Sequence, residues 1–155
     1  YRRPIAGCRE VNLSGRADRI DKLPNGELQV IDYKSGNKPH LEFNGVDGLF
    51  FGIPKERISN IFQTLLYSMM LYRGRNIDVT PSLYYASRML SNDYSPLLID
   101  HSREEHIGKY SDYAEEFEEA LDTVLKELFD YETPFRQAAD EDACTYCEFK
   151  TICRR

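Results

Sequence analysis

The sequence predicts a small α/β domain with a mixed sheet, on three grounds. An Asn25-Gly26 turn joins two strand-like stretches, which is a strong β-hairpin signal. Apolar residues at helical spacing follow from Ile58 to Tyr72, with strand-like runs over 79–86 and 97–99 behind them. A second helical stripe reaches Leu128. The order is hairpin, helix, two strands, helix, and then a tail that carries three of the four cysteines.

Taken in order, residues 10–14 and 16–21 read as strand, bent at Gly15, and 28–34 as the returning strand. Residues 35–55 read as one long connection rich in glycine (Gly36, Gly45, Gly48, Gly52) that also holds His40, Phe43, Phe50 and Phe51. A connection of that length inside a compact domain is usually functional or mobile. Pro54 suits the first turn of a helix that runs to about Arg73 and ends at Gly74. Its apolar positions are Ile58, Ile61, Phe62, Leu65, Met69 and Tyr72. Ser102-Arg103-Glu104-Glu105 has the form of a capping box and opens the last helix. The stripe of that helix (Ile107, Tyr110, Ala114, Phe117, Leu121, Val124, Leu128) alternates steps of three and four. Glu115 to Glu119 read as its solvated face, and Tyr84-Tyr85 as strand packing.

At 155 residues, with 41% hydrophobic and 30% charged residues, the chain suits one soluble globular domain. No stretch approaches the roughly 18 apolar residues of a membrane helix, and no signal-peptide pattern opens the chain. A cytoplasmic setting with reduced thiols is therefore expected. The first residue is Tyr1 rather than Met, which predicts a piece of a longer protein. A net charge of −6 argues at first sight against a nucleic-acid partner. Its distribution softens that objection. Residues 104–142 hold 14 acids against Lys109, Lys126 and Arg136, and the remainder sums to +5, with Arg2, Arg3, Arg9, Arg16, Arg19, Lys34 and Lys38 around the hairpin. An acidic helix face can thus coexist with a mildly basic site, and weak DNA binding by these residues alone is expected.

The hairpin carries the chemistry. Side chains alternate faces along a strand, so Asp32 and Lys34 share a face and Tyr33 points away, leaving its carbonyl at the site. Asp18 lies across the hairpin, where neighbours approach within about 5 Å. Asp32 ends the apolar run Leu28-Gln29-Val30-Ile31, and an acid there is costly to desolvate unless a cation or hydrogen bonds compensate. Two carboxylates, a carbonyl and an ammonium suit a divalent cation with a cationic helper, the set that phosphodiester hydrolysis needs. On the first helix Gln63 and Tyr67 stand four apart and share a face. In the tail, Cys144, Cys147 and Cys153 form a C-x2-C-x5-C run that needs a fourth ligand, from Cys8 or from beyond these residues.

Gly15-x-x-Asp18, Asp32-Tyr33-Lys34-Ser35-Gly36 and Gln63-x-x-x-Tyr67, in that order, resemble the motifs of the PD-(D/E)xK nuclease superfamily, in its RecB-like branch. The cysteine run resembles that of the iron–sulfur members, the AddB-type helicase–nucleases and the CRISPR-associated exonucleases. The resemblance implies a restriction-endonuclease-like mixed β-sheet flanked by helices, with 1–140 as the nuclease core and 141–155 as a tail of the same domain. It implies that Asp18, Asp32 and the Tyr33 main-chain carbonyl ligate Mg²⁺ or Mn²⁺. Lys34 would position or activate the attacking water and stabilise phosphate charge, while Gln63 and Tyr67 line the site. It also implies a [4Fe–4S] cluster on Cys144, Cys147, Cys153 and either Cys8 or an upstream cysteine. Spacing alone does not separate that cluster from Zn²⁺, and reduced thiols without a ligand are a third option.

Two features depart from the family. No histidine stands upstream of the first catalytic strand, and His40, His101 and His106 come in the wrong order to replace it. Cys8 sits close to that strand rather than well before it. Both departures fit a larger parent that supplies a His and a Cys from upstream. The implied function is an exonuclease or DNA-end-processing module in recombination and repair, with DNA as substrate and a helicase module in the same or a partner chain. Two rivals stand beside it: a catalytically silent nuclease-fold domain that binds DNA or braces a helicase, and a small metal-binding interaction domain built around the tail.

Overall fold

The protein is described from a computed structural model covering residues 1–5, 8–52, 58–134, 136–138 and 141–154, with backbone alone for Cys8 and Arg9. In chain order the elements are β1 (Arg2–Ile5), β2 (Cys8–Asn12), β3 (Arg19–Lys22), β4 (Leu28–Lys34), β5 (Glu42–Phe43), α1 (Gly45–Phe50), α2 (Ser59–Arg75), β6 (Thr80–Tyr85), β7 (Ile99–Asp100), β8 (Glu105–His106) and α3 (Ala114–Leu128). β4 is the centre of a mixed three-stranded sheet, antiparallel to β3 and parallel to β6. Parallel neighbours need a long crossover, and α2 supplies it, packing on β4 and β6. β1 and β2 pair antiparallel, and β5, β7 and β8 form a second small sheet, joined to the first side by a bridge between Ser82 and Leu97. Helices flanking mixed sheets are the fold class that the sequence predicts.

Central position explains the composition of β4. Gln29, Val30, Ile31 and Asp32 are all buried, as a strand with neighbours on both edges requires. The core lies around α2, between β6 on one side and α3 on another: Ile61, Leu65 and Met69 belong to one apolar cluster with Leu83, Tyr85, Phe117 and Leu121. Each such side chain contributes roughly 1.5–3 kcal/mol through burial. Phe50 of α1 stands edge-on to Phe62 and to Phe117, both at 5.2 Å between ring centroids, so it is core. Phe51 beside it is exposed.

A buried ion network ties the first strand to two helices. The Arg3 guanidinium donates to Glu118 Oε2 at 2.8 Å, to the Glu118 carbonyl at 3.2 Å and to Asp122 Oδ1. Arg73 of α2 donates to Glu118 Oε1 at 2.7 Å. Burial opposes the charge on Arg3, but the hydrogen bonds it donates to Asp122 and Glu118 outweigh it and hold the guanidinium firmly protonated. Burial, and then the Glu118 charge, push the Tyr110 hydroxyl well above the usual phenol range, so it stays neutral beside the network.

Several expectations from the sequence are corrected. Glu118 belongs to the buried face of α3 rather than to a solvated acidic one, because it stands four residues after Ala114 and three before Leu121, on the apolar stripe. Arg3 faces Glu118 and Asp122, so it adds nothing to a basic surface around the hairpin. Ser102 opens no helix. Its amide and hydroxyl both donate to Asp100 Oδ1, Glu104 takes a left-handed φ of 56°, and α3 starts at Ala114. The long connection contains β5 and α1. α2 runs through Gly74 and stops at Asn76 in the left-handed conformation. The strand expected over 10–14 is β2, which ends at Asn12, and 13–18 form no strand. Pro54, the expected helix start, lies outside the described residues. Among those residues no helix is long and apolar enough to cross a membrane.

Candidate active site

The hairpin turn sets the register that builds the site. Gly26 takes a φ of 88°, open to glycine without strain, and its amide donates to the Leu23 carbonyl at 2.8 Å. Pairing then runs from Lys22 opposite Leu28 to Arg19 opposite Ile31. One step further along that register puts Asp18 opposite Asp32. Asp18 Oδ2 accepts the Tyr33 amide proton at 2.9 Å. A residue's N–H and C=O leave a strand on the same edge, so the Tyr33 carbonyl also faces the edge where Asp18 lies.

Asp32 and Lys34 project on the α2 side of β4. The Lys34 ammonium lies 2.6 Å from Asp32 Oδ2 and donates to Gln63 Oε1 at 3.0 Å. Gln63 Nε2 in turn donates to the Tyr67 hydroxyl at 2.7 Å. One α2 face therefore holds the lysine from above while β4 holds it from below. Gly15 completes the arrangement from outside the hairpin: a Cβ there would stand 2.3 Å from Tyr67 Cε1. Only glycine admits that approach, a requirement that the sequence hides because its cause lies 52 residues away. The structure thus brings Asp18, Asp32, the Tyr33 backbone, Lys34, Gln63 and Tyr67 to one end of the sheet. On the opposite face Tyr33 packs its ring edge-on to Tyr84, with centroids 6.1 Å apart.

The donor set fits a divalent cation. Asp32 Oδ2 is buried and has no aligned hydrogen-bond donor, although the Lys34 charge is close. The Lys34 ammonium at 2.6 Å compensates that oxygen in part, and a divalent cation between Asp32 and Asp18 would complete its coordination. Asp18 is exposed, so its oxygens are open to a ligand or water. Hard oxygen donors of this kind suit Mg²⁺ or Mn²⁺. Among the described residues no three His, Cys, Asp or Glu side chains gather at metal-binding spacing, so the site offers two carboxylates plus a carbonyl.

The remaining candidates stand apart. His101 Nε2 lies 2.9 Å from Glu42 Oε2 at the surface, and His40 and His106 are exposed. Cys144, Cys147 and Cys153 are half-buried free thiols on successive turns of the tail, and they do not converge. The Cys8 side chain lies outside the described residues. One residue read from sequence as packing does more: Tyr85 is buried, and its hydroxyl accepts from Asn60, one turn before Gln63 on α2.

No curated protein and no solved structure matches the chain. The family model described as the PD-(D/E)XK nuclease superfamily matches residues 2–154, and the chain belongs to that superfamily.

Proposed function

We propose that the chain is a metal-dependent deoxyribonuclease domain of the RecB-like branch, acting as an exonuclease or end-processing module in DNA recombination and repair. The observation that carries this reading is Asp32: a buried carboxylate at the end of the central strand, opposite Asp18 and beside Lys34, with one oxygen lacking an aligned donor. Asp18, Asp32 and the Tyr33 carbonyl would hold Mg²⁺ or Mn²⁺. Such a cation, when bound, neutralises phosphoryl charge and lowers the pKa of its water.

The other steps belong to the chain's own groups. Gln63 fixes the rotamer of Lys34, so the ammonium is aimed before substrate arrives. That charge would stabilise the negative oxygens of the attacked phosphate and orient the water. The Tyr67 hydroxyl accepts from Gln63, which leaves its own proton free to donate to a phosphate oxygen. A helicase module in the same or a partner chain would deliver the strand, and a cytoplasmic setting fits that work.

For the tail, a [4Fe–4S] cluster or Zn²⁺ on Cys144, Cys147, Cys153 and one further cysteine would act as a structural staple, without part in hydrolysis. Iron and sulfide in the purified protein support the cluster, zinc supports the rival, and neither metal removes both. The catalytic reading is tested on labelled linear DNA with Mg²⁺ or Mn²⁺. Cleavage by the wild type that EDTA and Lys34→Ala abolish is the expected result. A folded wild type that binds DNA without cutting it, in the parent protein as well, would instead make this a silent nuclease-fold domain.

A further inference from the structure

The loop that follows β6, residues 86–94, combines two properties. It exposes apolar side chains, and it is hydrogen-bonded back to the strands it leaves. Between Phe51 and Leu128, Met89 and Leu90 are the only large apolar side chains among the described residues that are exposed, at 44% and 98%. They are adjacent, at the tip, with exposed Arg88 before them. Scattered single apolar residues on a surface mean nothing, but a two-residue apolar tip on a braced loop is different.

Tyr94 provides the brace. Its hydroxyl donates to the Leu83 carbonyl at 2.7 Å and accepts from the Tyr85 amide at 2.9 Å, closing the loop onto its own strand. Three successive turns fill the interval, from Arg88 N to Tyr85 O, Ser91 N to Arg88 O and Tyr94 N to Ser91 O. The Tyr94 ring meets Tyr84, and Tyr84 meets Tyr33, so the brace runs back to the strand that carries Asp32.

The base of the loop is fixed to the site as well. Ala86 N donates to the Lys34 carbonyl at 2.9 Å, and Ser87 Oγ to the Gly36 carbonyl at 3.2 Å. Leu90 stands four positions beyond Ala86, so the two lie within about 14 Å of each other.

Resting on the nuclease reading above, we propose that this loop is an end-opening wedge: Met89 and Leu90 insert against the terminal base pairs of duplex DNA while Arg88 meets a phosphate. Apolar residues inserted at base steps unstack them, and a loop already tied to its strand loses little entropy on doing so. The strand released beside the loop would then lie at the catalytic hairpin.

The test places 2-aminopurine at the terminal pair of a blunt duplex, a probe that brightens when unstacked. Lys34→Ala protein with Mg²⁺ is compared with the same protein carrying Met89→Ser and Leu90→Ser, exposed substitutions that should leave the fold intact. The wedge predicts brightening by the first protein and none by the second at matched DNA occupancy. In otherwise wild-type protein, Met89→Ser/Leu90→Ser should lower the ratio of blunt-duplex to pre-frayed-duplex cleavage about tenfold. Equal brightening with and without the tip, an unchanged ratio, or no brightening at all overturns the wedge. Brightening that depends on the tip, from a chain that cuts no DNA, keeps the wedge and removes the nuclease reading instead.

Discussion

Asp32 and Glu118 are both carboxylates that the fold removes from water, at 4% and 8% exposure, and each faces a cation. Their surroundings differ in one respect. Glu118 is saturated: Arg3 and Arg73 hydrogen-bond its two oxygens and the Tyr110 hydroxyl stands 3.5 Å away, so three elements lock around it. Asp32 has the Lys34 charge beside Oδ2 but no aligned donor on that oxygen. A buried acid whose partners are complete holds a fold together. One whose partners are incomplete, at the open end of a sheet, is poised for something that arrives.

Substitutions at the two acids should separate these roles. The largest effect is expected on cleavage: Lys34→Ala or Asp32→Ala should lower the rate about a thousandfold or more, the scale of losing a group that stabilises transition-state charge. Circular dichroism of both variants should match the wild type. Next comes Glu118→Ala, which leaves Arg3 with Asp122 and the residue-118 carbonyl but removes the carboxylate that Arg3 and Arg73 share, and should destabilise by about 2–3 kcal/mol in urea titrations. A loss under 1 kcal/mol there would remove the contrast.

Gly15→Ala should cost about 1–3 kcal/mol by overpacking against Tyr67, and should also slow cleavage because Tyr67 anchors Gln63 and through it Lys34. Wild-type stability and rate in that variant would show that the close approach is unimportant. The smallest effect is expected for Asp32→Asn, whose stability should stay within about 1 kcal/mol of wild type, because Lys34 keeps Gln63 and partial access to water.

The hairpin, α2, the parallel strand after it and the motif order were legible because each rests on local signals: Asn25-Gly26, a helical apolar repeat, an acid ending an apolar strand. What failed depends on distant partners. The capping-box reading of Ser102 failed because Asp100, fixed by the small sheet, takes both the amide and hydroxyl of Ser102 and also binds the Gly45 amide. Ile107 and Tyr110 continue the apolar stripe of α3 by spacing, yet they reach the core from outside that helix. Glu118 was misread because a glutamate on an apolar stripe looks like surface until its two arginines, 115 and 45 residues away, are placed. The reason for Gly15 was invisible for the same cause.

The most direct test of the comparison is a Mn²⁺ titration of wild type and Asp32→Asn, followed by calorimetry and by thermal unfolding. If Asp32 is the incomplete acid of a metal site, the wild type binds Mn²⁺ and its melting temperature rises with Mn²⁺ concentration, while Asp32→Asn does neither and remains folded. Equal Mn²⁺ affinity and equal melting shifts in the two proteins would contradict the assignment of the site to the end of β4.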